Sequence, residues 1–301
     1  MRSELAAWRT AGEIFRYRGQ DIFYREENRA GNPGENRATL LLVHGFPTAS
    51  WDWRPIWATL AARFHLIAPD MIGFGFSAKP RDYPYSLMDQ ADLCEALLAD
   101  RGVRDTHVLA HDYGDTVAQE LLARHNQRER ENAAGPRLRS VCFLNGGLFP
   151  EVHRARFVQK MLLSPLGPLV ARVMSRRGFD QSFSAIFGAG TKPTASELED
   201  FWELVVTNDG VRIFPQLIRY MPERRANRER WVGALQQARI PLRVIDGPDD
   251  PVSGRHMVER YRELVPNPDT VLLQGIGHYP QVECPQGVLD NFLPFIERAS
   301  A

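Results

Sequence analysis

The 301-residue chain predicts an α/β fold, a mostly parallel central sheet flanked by helices and interrupted by one helical insertion. Two observations carry that expectation. Short β-rich runs alternate with amphipathic helical spacing in the first half of the chain, and the same alternation returns near the C-terminus after a stretch with no convincing strand. Residues 39–43 and 65–68 read as buried strands, and residues 106–110 and 140–144 as two more. Residues 88–100 and 116–125 carry the apolar spacing of helices between them, the crossovers that parallel neighbours need. From about residue 148 to 235 the character changes, with SPLGPLVARVMSRRGF and SELEDFWELVV reading as helices. Residues 242–246 and 270–273 then restore the strand pattern, and residues 285–298 read as a closing helix. The expected organisation is a core over residues 1–147 and 236–301 with an inserted segment over 148–235.

Composition narrows the class of partner. Lys plus Arg and Asp plus Glu are both 37, so the summed field gives no reason to expect nucleic acid or an anionic membrane, and a small apolar or neutral substrate fits better. Cys94, Cys142 and Cys284 are odd in number, widely separated and far from zinc-like spacing, which reads as free thiols in a reducing compartment. The N-terminal stretch lacks the uninterrupted apolar run of a signal peptide, and no segment approaches the roughly 20 apolar residues of a membrane span. A cytoplasmic location is the expectation, and neither metal nor cofactor is called for. Two polar tracts look like surface: residues 127–136, polar and breaker-ended, as a loop, and Arg224, Arg225, Arg228 and Arg230, mixed with Glu223 and Glu229, as a solvated helix face.

The segment THVLAHDYGDTVAQELL runs strand, sharp turn, helix. It follows the nucleophile-elbow pattern G-x-S-x-G, in which small residues two before and two after the nucleophile allow a tight turn. Ala110 and Gly114 hold those small positions, and Asp112 stands where serine would be. A carboxylate can displace a leaving group from a saturated carbon, leaving an ester that water must then cleave. That second step requires a general base and donors for the developing oxyanion. The competing reading of Asp112 is a helix cap, accepting hydrogen bonds from first-turn amides.

His278 follows the last expected strand in VLLQGIGHYPQVECP and is the candidate base. The preceding strand ends in VIDGPDDPVSG, where Asp246, Asp249 and Asp250 are all eligible to orient the imidazole. Asp250 is preferred, because Asp246 falls within the strand and Asp250 precedes Pro251 in the turn. Nucleophile, acid and histidine then follow the chain order of the α/β-hydrolase fold. The oxyanion donors expected of that scheme are the amides of Phe46, in LLVHGFPTAS, and of Tyr113. Gly73, Gly75 and Ala78 form a loose dinucleotide fingerprint, but Pro80 stops the helix it needs, so these glycines read as loop residues near the pocket. Ser77 has Lys79 where a serine elbow would want glycine.

Taken together, His44-Gly45-Phe46-Pro47, Asp70 with Gly73 to Ser77, His111-Asp112-Tyr113-Gly114, Gly247 with Asp250-Pro251, and Gly277-His278-Tyr279-Pro280 resemble the epoxide hydrolase and haloalkane dehalogenase branch of the α/β-hydrolases. The likeness spans nearly the whole chain, and several stretches look closest to the mesoderm-specific transcript group. The resemblance implies a helical cap inserted after the sixth strand and opening of an epoxide to a vicinal diol. Epoxide hydrolases usually use two cap tyrosines as donors to the ring oxygen. Tyr220 is the tyrosine between residues 148 and 235, and His153 is a candidate for the second donor. Dehalogenases usually carry Trp after the nucleophile and often Asn in the oxyanion loop, where this chain has Tyr113 and Phe46. Dehalogenation is therefore the alternative reaction, and a non-catalytic ligand-binding protein the alternative class. Phe46, Phe149, Phe183 and Trp202 are candidates for lining an apolar pocket.

Overall fold

Thr39–Val43 is buried at every position, as a strand covered on both faces must be, and the sheet is built outward from it. The computed structural model describes residues 3–29 and 37–300; residues 1–2, 30–36 and 301 of the expected core segments lie outside the described residues. The strands are β1 (Glu13–Tyr17), β2 (Gln20–Glu27), β3 (Thr39–Val43), β4 (His65–Pro69), β5 (Asp105–His111), β6 (Arg137–Leu144), β7 (Leu242–Asp246) and β8 (Thr270–Leu272). Among the described residues they form one sheet in the order β1-β2-β4-β3-β5-β6-β7-β8. Every pairing from β4 to β8 is parallel, while β1 and β2 add an antiparallel hairpin at one edge. That hairpin was not expected from the sequence. Its two-residue turn, Arg18-Gly19, has positive φ at both positions (48° and 79°), the primed turn that matches strand twist, with Arg where Asn or Asp is the usual signal.

The helix Leu87–Asp100 starts at Ser86, whose hydroxyl accepts from the Asp89 amide at 3.1 Å. The helix after β5 runs Tyr113–Glu131, which corrects the loop expected over residues 127–136. Polarity there marks exposure rather than irregular backbone: Gln127 donates to Glu131 one turn on, and Arg128 to Glu95. Asn132 ends the helix in the left-handed conformation, φ 50°.

Between β6 and β7 the regular elements are helices, among them Phe157–Leu163, Gly167–Val173, Arg176–Ser184, Ala195–Val206, Tyr220–Ala226 and Arg228–Gln236. Buried polar contacts tie this insertion to the core. The Lys79 ammonium donates to the carbonyls of Gly75, Leu204 and Thr207. Glu120, on the helix after β5, accepts from Arg124 at 2.8 Å, Arg230 at 2.7 Å and the Trp231 indole at 2.8 Å. Burial alone would raise the Glu120 carboxyl, but these donors outweigh it and hold the group below its ordinary range. No helix of the described residues is long and apolar enough to cross a membrane.

Replacing Glu120 with alanine should cost about 3 kcal/mol in urea denaturation, the low end for breaking a buried ion pair because both guanidinium groups retain water contact. The stabilisation from Glu120 should be present at neutral pH and disappear as pH falls through its depressed folded value.

Candidate active site

β5 ends at His111 and the next helix begins at Tyr113, so Asp112 forms the whole corner between them. Its φ of 49° and ψ of −104° put a non-glycine residue in a sparsely populated conformation, of the kind that persists only where the surroundings over-determine it. Those surroundings are close. A side chain at position 114 would collide with the carbonyl oxygens of Val43 and His44, so only glycine lets the elbow pack against the end of β3. The Asp112 side chain makes no capping hydrogen bond to the helix. It faces a cavity of about 470 Å³ instead, which removes the helix-cap reading.

The Phe46 amide donates to Asp112 Oδ2 at 3.1 Å. Tyr113 is the first residue of the helix, so its N–H is one of the donors with no intrahelical acceptor. The two amides expected from the sequence thus come from the loop after β3 and from the start of the helix.

His278 Nδ1 lies 2.8 Å from Asp250 Oδ2, and His278 Nε2 lies 4.0 Å from Asp112 Oδ2. Asp250 also accepts from the amides of Val252 and Ser253, the Ser253 hydroxyl and the Asn145 amide. Although burial opposes ionisation, His278 and these donors outweigh it and hold Asp250 well below the ordinary carboxylate range. The other two candidates are elsewhere: Asp249 is exposed and Asp246 is buried at the strand end, its carboxyl pushed well up by burial. Burial by itself would lower His278, but the charge and hydrogen bond of Asp250, with Asp112 beyond, raise it to about 9.

The loop carrying His278 is held by three of its amides. Its own amide donates to the Ile186 carbonyl, and the amides of Gly277 and Tyr279 both donate to Glu283. Glu283 received no role in the sequence reading. Only its spacing, five residues after the histidine, could have suggested it.

Arg224 is the largest departure. Expected on a solvated face, it is 2% exposed, with Nη2 3.0 Å from the Asp112 carbonyl oxygen, Nε 2.7 Å from Thr116 Oγ1, and Nη2 3.9 Å from Asp112 Oδ1. Its guanidinium lies over the Tyr220 ring, 4.4 Å from the centroid. Residues four apart share a helix face, so an inward Tyr220 already implied an inward Arg224. In the rest of the basic run Arg230 pairs with Glu120 and Arg228 with Glu151, while Arg225 is exposed as expected.

Tyr220 is buried behind Phe46 and Tyr113, with ring centroids 6.0 and 5.3 Å away. It does not itself line the cavity; its hydroxyl accepts from Gln159 Nε2 at 3.2 Å, and Gln159 does line it. Burial first, and then the Asp112 charge, push the phenol well up, so it stays protonated. His153 departs from its expected place facing the substrate. It stands against Gly147 and the Arg224 guanidinium, both ring nitrogens are buried without a partner, and burial with the arginine charge lowers it to about 3. Of the four candidate pocket aromatics, Phe46 and Phe183 line the cavity while Phe149 and Trp202 pack elsewhere in the core. No cluster of side chains suited to a metal ion occurs among the described residues.

The sequence profile of the alpha/beta hydrolase family matches residues 40–291. The chain belongs to that family. Mesoderm-specific transcript protein of Mus musculus is 41% identical to it over 300 residues, covering 97% of this chain and 88% of the mouse protein. A haloalkane dehalogenase of Bradyrhizobium diazoefficiens is 38% identical over 106 residues, 35% of this chain and 32% of that protein. Among solved structures, a loop variant of the haloalkane dehalogenase DbeA from Bradyrhizobium elkanii superposes with a TM-score of 0.78 at 21% identity, covering 96% of this chain and 97% of that one. That last likeness shows the α/β-hydrolase fold.

Electrostatics in this hydrolase can be measured directly. Asp112→Asn removes one of the negative charges that raise His278, so the imidazole should titrate below the wild-type value of about 9, by roughly one unit or more. NMR of the His278 ring against pH reads the shift; an unchanged titration would mean that Asp112 contributes nothing to the imidazole.

Proposed function

We propose that this hydrolase opens epoxides to vicinal diols through an ester on Asp112. The observation that carries the reading is a carboxylate facing an apolar-walled cavity, with an amide donor on one oxygen and a buried imidazole 4.0 Å from the same oxygen. A helix cap or a structural aspartate has no need of that arrangement.

In the first step an oxygen of Asp112 attacks an epoxide carbon, the ring C–O bond breaks, and the ring oxygen takes up a proton. The proton is the one His278 holds while Asp112 is ionised, passed through a water, because Tyr220 does not line the cavity. Gln159 Nε2, held by the Tyr220 hydroxyl, supplies the cap-side hydrogen bond to the ring oxygen in place of Tyr220 and His153. In the second step water adds to the ester carbonyl while His278 Nε2 takes its proton. The amides of Phe46 and Tyr113 hold the oxyanion, a contribution of about 2.7–4 kcal/mol for each such donor. Collapse expels the diol oxygen, which takes the proton from His278, and the acid left on Asp112 returns its proton to His278, restoring carboxylate and imidazolium. The balance is epoxide plus water giving diol.

The timing of the base follows from charge. With Asp112 ionised, His278 is held protonated to about pH 9. Alkylation removes the Asp112 charge, and the imidazole becomes free to act as a base when water has an ester to attack.

Replacing Asp112 with asparagine should abolish turnover. His278→Gln should lower it by about 10²–10⁴-fold and leave an ester that intact-protein mass spectrometry detects as an adduct of one substrate mass. An unmodified His278→Gln protein, exposed to an epoxide that the wild type converts, excludes the covalent route. The kinship with dehalogenases supports a second reading, halide displacement by the same carboxylate, which halide release without diol from epoxides would favour. Measurable ligand affinity with no turnover of epoxides, haloalkanes or esters would favour a binding protein.

A further inference from the structure

The outer face of the insertion is apolar where a surface should not be. Phe157 is 77% exposed, Leu166 and Leu169 57% each, and Val173 70%. All four lie on the short helices Phe157–Leu163 and Gly167–Val173, which pack against each other, or on the turn joining them. The spacing of Leu166, Leu169 and Val173 sets them on one stripe. Phe157 and Val173 also line the cavity that holds Asp112, so the exposed apolar face is continuous with the wall of the site.

Along the segment that carries that face the charge is of one sign. Between Glu151 and Asp180 the sequence has no acidic residue but six cations, Arg154, Arg156, Lys160, Arg172, Arg176 and Arg177. All but Arg176 are exposed, and Arg176 pairs with Asp180. The chain as a whole is neutral, so this concentration is local. Apolar side chains that enter the acyl boundary, ringed by cations that meet lipid phosphates, are the two signals stable membrane attachment requires.

We infer that the helices Phe157–Leu163 and Gly167–Val173 form a docking surface for the headgroup region of an anionic lipid bilayer, with the mouth of the cavity turned toward the bilayer. This departs from the expectation, drawn from net charge, that no membrane is a partner. It places the hydrolase on the surface rather than through it. The inference goes beyond the proposed reaction and stands whether or not Asp112 opens epoxides, because its test reads binding and not turnover.

The full chain is sedimented with vesicles of phosphatidylcholine alone and of phosphatidylcholine mixed with phosphatidylglycerol, at low and high salt. Wild type should partition onto the anionic vesicles and weakly or not at all onto the neutral ones, and high salt should release it. Lys160→Gln with Arg172→Gln should weaken binding by roughly fivefold per cation removed. Leu166→Ser with Leu169→Ser should weaken it about tenfold or more. Neither leucine lines the cavity and both are exposed, so thermal melts of the variants should match wild type. Three results would overturn the inference: no partitioning onto either vesicle, partitioning that neither pair of substitutions changes, or a dimer in light scattering that the leucine substitutions dissolve. The last would make the face a contact between two copies of the chain.

Discussion

Four charged side chains are buried together at the corner after β5, and the site depends on their cancelling one another. Asp112, Asp250 and His278 are each less than a twentieth exposed, and Arg224 less than that. Removing any one of these charges from water is costly, and burial becomes tolerable only with opposite charges and satisfied hydrogen bonds close by. With His278 protonated the group sums to zero. Arg224 holds the backbone of the corner through the Asp112 carbonyl, Asp250 holds the imidazole, and the Phe46 amide holds the carboxylate. On the proposed reaction the neutral sum also times the steps. Esterification of Asp112 leaves an excess positive charge in a buried place, and loss of the His278 proton is the change that restores balance.

The same corner explains which residues the sequence made readable. Asp112, His278 and Asp250 sit at the ends of strands, where chain direction and turn chemistry confine them, and their neighbours Gly114, Gly277 and Pro251 are local signals of those turns. The central strands could be read for a related reason, since burial on both faces leaves a continuous apolar run, as in Thr39–Val43. The β1–β2 hairpin could not, because Glu13–Tyr17 is a largely exposed edge strand with charged residues and an Arg-Gly turn. The end of the helix Tyr113–Glu131 was misplaced because exposed polar helix and loop share a composition, and only Asn132 marks the stop.

Arg224, Gln159 and Glu283 were missed for a different reason. Each acts on a partner remote in sequence: Arg224 reaches back 112 residues to the Asp112 carbonyl, Gln159 forward 61 to Tyr220, and Glu283 back 95 to the Gly188 amide. No periodicity encodes which residue faces which across an interface between the insertion and the core. A charge run read in isolation looks solvated, and the only local clue against that was the four-residue spacing of Tyr220 and Arg224.

The insertion is not attached evenly, and that asymmetry bears on how a substrate reaches Asp112. Its C-terminal part is fastened to the core by charged and polar contacts: Arg224 on the corner, Arg230 and Trp231 on Glu120, and the Leu204 and Thr207 carbonyls on Lys79. The helices Phe157–Leu163 and Gly167–Val173 present apolar side chains both to the cavity and to the outside. Buried charge contacts have narrow geometric tolerance, whereas apolar packing exchanges one neighbour for another at small cost. Displacement of the insertion would therefore fall on residues 157–174 and leave the 220–236 side in place. An apolar substrate entering past Phe157 and Val173 would thus pass through the part of the wall that yields, and meet Asp112 against the part that does not.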